Sequence, residues 1–198
     1  GSNGTAEKTH TIPSKGFITG DTEDLIGVNH GIVNGYMEVQ VTDGNGVIGF
    51  SRIEFPGVRT ALGMNAIQTT ASKKFYSSQL AHGMNIVTNL RLVNTSSATR
   101  SVKLSAIGDD GTPVTDTVTV EVPSQQIYGA DLGTLFGLES EGVITTGSLV
   151  VEADGNGIIG DIIFAEGNTM QYAMALPLQD RLFKEAVFNH ISNLPTVF

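Results

Sequence analysis

Thr117-Val118-Thr119-Val120-Glu121-Val122 alternates polar and apolar residues without a break. In an extended chain successive side chains point to opposite faces, so this pattern makes a strand with one dry face and one wet face. The same period runs through 101–106, where Val102, Leu104 and Ala106 interleave with Ser101, Lys103 and Ser105. Ile86, Leu90 and Leu92 interleave with Asn89 and Arg91, and Met37, Val39 and Val41 with Glu38 and Gln40. Turn sequences stand between these runs: Asp109-Asp110-Gly111, Asp43-Gly44-Asn45-Gly46 and Asp154-Gly155-Asn156-Gly157. Short strands, a turn about every ten residues and no amphipathic helix predict an antiparallel β-sandwich. The least strand-like stretch, 129–142, is expected to hold a single helical turn around Leu132–Phe136.

Reading outward, the strand ends in Glu121-Val122-Pro123-Ser124, and Thr11-Ile12-Pro13-Ser14 has the same form 110 positions earlier. Leu25 and Gly27 match Leu135 and Gly137 at the same offset, and Gly35 matches Gly147 at 112. Asp43-Gly44-Asn45-Gly46-Val47-Ile48-Gly49 returns as Asp154-Gly155-Asn156-Gly157-Ile158-Ile159-Gly160 at 111. Ala61-Leu62-Gly63-Met64 pairs with Ala173-Met174-Ala175-Leu176, and Phe75-Tyr76 with Val187-Phe188, both at 112. Offsets that drift by one or two near turns are what loop insertions leave in a duplicated unit. Residues 10–81 and 120–193 therefore read as two copies of one segment, while 82–119 occurs once. Either the chain cuts a longer array out of phase or one copy lacks the 82–119 hairpin; the sequence leaves both open. The expected organisation is a tag remnant and flexible N-terminus over 1–9, a first sandwich module over 10–80 and a complete second module over 81–198. Linkers are expected around 72–78 and 184–192.

Composition narrows the function. With 11 basic and 20 acidic residues the formal charge is −9, a field that repels phosphate backbones and anionic lipid headgroups. Neither nucleic-acid binding nor membrane insertion is expected, the latter because no run approaches the ~18–20 apolar residues of a membrane helix. The absence of cysteine excludes disulfides, thiolate metal sites and cysteine nucleophiles. Gly1-Ser2 reads as what tag removal leaves behind.

The run Thr88-Asn89-Leu90-Arg91-Leu92-Val93-Asn94-Thr95-Ser96, then Val102-Lys103-Leu104, Asp109-Asp110-Gly111-Thr112-Pro113 and Gly147-Ser148-Leu149-Val150-Val151-Glu152, carries a resemblance. It resembles the Ig-like β-sandwich repeats found in tandem in secreted and surface proteins of bacteria. The resemblance covers 82–192 directly and 10–81 through the duplication. It implies a secreted, cell-surface or periplasmic spacer, scaffold or adhesive module, and it carries over no active-site residues. Its partners would be neighbouring repeats or other surface proteins.

The candidate sites are each weighed against a plainer role. Asp43, Asn45, Asp154 and Asn156 offer hard oxygens of the kind Ca²⁺ prefers, but the closing glutamate of a calcium loop is missing. A glycine-rich hairpin turn explains every residue of those loops, so no metal is assigned. Asp21, Glu23 and Asp24 read as a solvated acidic loop. His10, His30, His82 and His190 have no ligand spacing, and no nucleophile elbow or phosphate-cradling loop is present. Neither catalysis nor a cofactor is expected. The alternative reading is a carbohydrate-binding module, with Tyr36 on the wet face beside Glu38 and Gln40; Tyr76 and Tyr172 are assigned to the core. Val187, Phe188 and Phe198 are the expected apolar contacts with a neighbouring repeat.

Overall fold

The computed structural model describes residues 6–27, 35–54, 61–69, 71–138, 141–167 and 172–185. Residues 1–35 and 36–198 form separate compact units. The first contains helix α1 (Thr22–Ile26). The second begins with β1 (Phe50–Glu54), β2 (Ala61–Asn65), β3 (Lys74–His82), β4 (Ile86–Asn94) and β5 (Arg100–Gly108). It continues with β6 (Val118–Val122), β7 (Ile127–Asp131), helix α2 (Leu132–Phe136), β8 (Thr145–Ala153), β9 (Ile158–Glu166) and β10 (Ala173–Pro177).

Eight of these strands make an all-β antiparallel sandwich. One sheet has the order β3-β8-β5-β6 and the other β10-β9-β4-β7. Only the β5–β6 and β9–β10 connections stay within a sheet; each of the others crosses to the opposite one. The alternation read in the sequence sets which side faces in. Val102, Leu104 and Ala106 of β5, Leu90 and Leu92 of β4, and Leu149 and Val151 of β8 are all fully buried. Lys103, between two of them, is exposed. Leu132 and Phe136 of α2 join the same core, so the expected helical turn caps the sandwich. Burying each such leucine or valine contributes about 1.5–3 kcal/mol, which makes the core the main source of stability.

The two polar residues of the Thr88-to-Ser96 motif that lie on the inner face are also fully buried, and both stitch one sheet to the other. Thr88 Oγ1 donates to the Ala81 carbonyl at 2.8 Å and accepts from the Ala81 N–H at 3.0 Å, joining β4 to β3. Asn94 Nδ2 donates to the Val122 carbonyl at 2.9 Å and to that of Ala98 at 2.8 Å. Asn94 Oδ1 accepts from the Ser96 N–H and hydroxyl at 2.9 and 2.7 Å. Thr95 N–H donates to the Gly157 carbonyl, and Ser124 Oγ to that of Ser96. One end of the sandwich is thus held by side chains that satisfy three crossing loops at once, as buried backbone polar groups require.

Pairs of elements recur at the offsets noted above. Asp21 caps α1 by accepting from the Asp24 N–H at 2.9 Å, and Asp131 caps α2 by accepting from the Thr134 N–H at 2.7 Å. Gly27 and Gly137 close the two helices in left-handed conformation, with φ of 71° and 64°. In the hairpins, Phe50 faces Asn65 and Glu54 faces Ala61, just as Asp161 faces Pro177 and Ala165 faces Ala173. Beyond each hairpin end, Ala66 N–H donates to the Gly49 carbonyl and Leu178 N–H to that of Gly160, at 2.8 and 2.9 Å.

Several expectations are corrected. Residues 72–78 are not a linker: Lys74–His82 is strand β3, paired with β8. A bulge between Ser77 and Leu80, with Ser77 Oγ bonded to the Gln79 backbone, breaks the alternation that would have revealed it. Met37, Val39 and Val41 lie in no strand and are exposed, because residues 35–42 find no partner strand among the described residues. The Asp154–Gly157 loop is a corner between sheets rather than a hairpin, since β8 and β9 belong to different sheets. Asp21, Glu23 and Asp24 form a capped helical turn rather than a loop, with both Glu23 and Asp24 at the favourable end of its dipole. Tyr172 is 47% exposed and lies against Phe164, with ring centres 6.1 Å apart, instead of packing in the core.

Candidate functional site

The Asp154-Gly155-Asn156-Gly157 corner is occupied by cations of the protein itself. Arg100 Nε donates to the Asn156 carbonyl at 3.0 Å, and Lys73 Nζ to that of Asp154 at 3.3 Å. The Arg100 guanidinium lies so close over Gly155 that a Cβ there would meet it at 2.4 Å. Two basic groups aimed at the loop carbonyls are the opposite of what a Ca²⁺ shell needs. Gly157 sits at φ 96° with Ser96 against it, so glycine is required by both conformation and space. In the earlier loop Asp43 and Asn45 are exposed, with Gly44 and Gly46 at φ 106° and 128°. Among the described residues, no three His, Asp or Glu side chains are grouped to hold a metal ion.

Tyr36, Glu38 and Gln40 are exposed on the same strandless stretch as Met37 and Val39, so no sheet presents them as a platform. Val187, Phe188 and Phe198 lie outside the described residues, as do His30, His190 and most of the expected 184–192 linker. Lys74 faces Glu152 across β3–β8 and forms an exposed ion pair at 2.9 Å. The glutamate's hydrogen bond raises the Lys74 pKa, with desolvation opposing it.

Two polar arrangements were not foreseen. Arg91 and Asp161 face each other across β4 and β9, on the outer side of the sheet, and pair at 2.9 Å through both Nε and a terminal nitrogen. Asp161 is only 6% exposed, and burial raises its pKa above the ordinary 3.8 although Arg91 pulls the other way. His82, at the end of β3, is buried against Gly133 of α2, and its Nδ1 has no hydrogen-bond partner. Neither arrangement announces itself in a sequence, because each depends on a pairing 70 or 51 positions away. A cleft of about 200 Å³ lies where β2 passes β10, lined by Asn65, Ile67, Phe75, Ile159 and Leu178. That is below the ~300–1,000 Å³ typical of small-molecule sites.

One stretch of the chain is apolar and exposed. Met37, Val39, Val41, Val47, Ile48 and Phe50 are 54, 62, 40, 49, 102 and 68% exposed. Scattered exposed apolar residues are ordinary; here six fall within fourteen positions of the sequence.

No protein-family model matches the chain, and no curated protein sequence does. Among solved structures it is similar to the crystal structure of Thermotoga maritima 1070, at 16% identity over 55% of this chain and 93% of that one, with a TM-score of 0.46.

Proposed function

We propose that the chain is a non-catalytic, extracytoplasmic structural or adhesive module of the Ig-like kind, one stretch of a tandem array that acts as spacer and protein-interaction scaffold. The observation that carries this reading is the recurrence of whole elements at repeat spacing. A helical turn with the same aspartate and glycine caps recurs at 110, and a hairpin with the same register at 111 and 112. Within the sandwich, β4–β7 and β5–β8 pair as strands B–E and C–F of an immunoglobulin domain do. It departs elsewhere: β9 lies beside β4 and β3 beside β8, whereas the immunoglobulin G strand stays with F and the A strand with B. The buried polar groups Thr88 and Asn94 are committed to holding sheets together, as a load-bearing spacer requires. The entry and exit of the sandwich also meet, through paired bonds of 2.8 and 2.9 Å between the Tyr76 and Gln179 backbones, so consecutive modules would join through short links.

Protease shaving of intact bacterial cells carrying the parent protein tests this. The reading expects surface-released fragments spaced by one module, about 12 kDa for a repeat of about 110 residues. Release only after lysis, or fragments without that spacing, would overturn it.

A further inference from the structure

In the sandwich, β8 is a central strand whose apolar side is covered from two flanks. Leu149 lies beside Ser77 and Ala106, Val151 beside Phe75 and Leu104, and Ala153 beside Val102. Leu149 and Val151 are fully buried and Ala153 is 9% exposed. At the offset of 112 that relates Gly35 to Gly147, their counterparts are Met37, Val39 and Val41, all exposed. Val47, the counterpart of fully buried Ile158 at 111, is 49% exposed. The alternation that makes β8 a strand is thus present in 36–42, and among the described residues no pair of strands flanks it. A polar–apolar alternating segment that lies in no strand is a template for strand addition.

From this, and resting on the array reading above, we propose that residues 36–48 are an acceptor strand and corner completed by a half-sandwich of the 74–122 type from an adjacent repeat. The occupant is fixed by what covers the counterparts. One flank needs a strand like Lys74–His82, the other a strand like Arg100–Gly108, and the dry face needs the residues of a β4-type strand behind it. Gly35 fits the same arrangement. Its counterpart Gly147 passes so near β5 that a Cβ would lie 2.1 Å from the Ile107 carbonyl oxygen, so a glycine belongs where those strands meet.

The experiment adds a second copy of residues 72–120 in front of Thr11 of the full chain, which keeps the spacing that Val120 has to Pro123. Hydrogen exchange by mass spectrometry is then followed in both chains. In the extended chain, amides 37–41 are expected to slow by at least about a thousandfold, while those of β8 stay protected in both. The chain has no cysteine, so a disulfide between Val39→Cys and Leu104→Cys of the added copy is a second reading, expected because their counterparts Val151 and Leu104 are direct partners. If the extended chain is insoluble, a peptide of residues 100–122 added to the unextended chain gives the same two readings. Unchanged fast exchange at 37–41 with β8 protected, or no disulfide, overturns the proposal and leaves the array reading standing. Protection of 37–41 in a dimer of the unextended chain overturns it in favour of a second copy as occupant. Loss of protection throughout β8 would instead count against the sandwich module itself.

Discussion

Replacing Asn94 with alanine should cost more stability than any other polar truncation in the sandwich. The side chain is fully buried and makes four hydrogen bonds: two donated to carbonyls of Ala98 and Val122, two accepted from Ser96. At about 1 kcal/mol net for each bond, with an added penalty for buried groups left unpaired, the loss is about 3–5 kcal/mol. Small domains have only about 5–15 kcal/mol in total. With a urea slope of about 1.5 kcal/mol per molar, the unfolding midpoint followed by circular dichroism should drop by roughly 2–3 M. Asn94→Asp keeps the Oδ1 acceptor but loses both donated bonds and turns a charge toward two carbonyls, so it should be at least as damaging at pH 7. Ser124→Ala removes one part-buried bond of 3.0 Å and should cost about 1 kcal/mol. A loss below about 1 kcal/mol for Asn94→Ala, at unchanged slope, would refute the idea that this asparagine ties the crossing loops together.

Three further outcomes follow from the packing. Gly147→Ala places a Cβ 2.1 Å from the Ile107 oxygen and should cost about 1–3 kcal/mol in urea titrations, whereas Gly129→Ala, whose nearest neighbour would be 3.9 Å away, should be close to neutral. Val151→Ala should cost about 2–3 kcal/mol from lost burial and the cavity left behind, while Val39→Ala at the matching position should stay within about 0.5 kcal/mol. Burial raises the Asp161 pKa above 3.8, so the folded chain binds that proton more tightly than the unfolded one. The stability it contributes is therefore present in acid and declines as pH climbs from about 3.8 through the raised value. Melting temperatures from pH 3.5 to 7 should show this decline in the native chain and lose it in Asp161→Asn; a native chain that instead gains stability relative to the variant over that range would mean Arg91 outweighs burial.

The sandwich was legible where a strand's alternation is complete. Val102, Leu104 and Ala106, or Leu90 and Leu92, point inward as their spacing requires. The turn at Leu132–Phe136 was legible because glycines bracket a short apolar run. The stretch 36–42 misled because alternation states only that a segment can be a strand; pairing is non-local, and the partners decide. Lys74–His82 was hidden by its bulge, and the Asp154 corner by the fact that the same glycines serve hairpins and inter-sheet turns alike. The stitching roles of Thr88 and Asn94 were beyond reach for the same reason: their partners lie 7 and 28 positions away, across the sandwich. Of the candidate sites, the Asp154 loop is a corner between sheets, and the Arg91–Asp161 pair came from register alone.

Segments 37–41 and 149–153 have nearly the same pattern, and among the described residues only the second has flanking strands. Hydrogen exchange of the full, unmodified chain compares them directly within one molecule. Amides 149–153 should exchange only through global unfolding, over hours, while 37–41 should exchange at close to the rate of an unfolded peptide. Equal protection of the two segments would contradict that expectation.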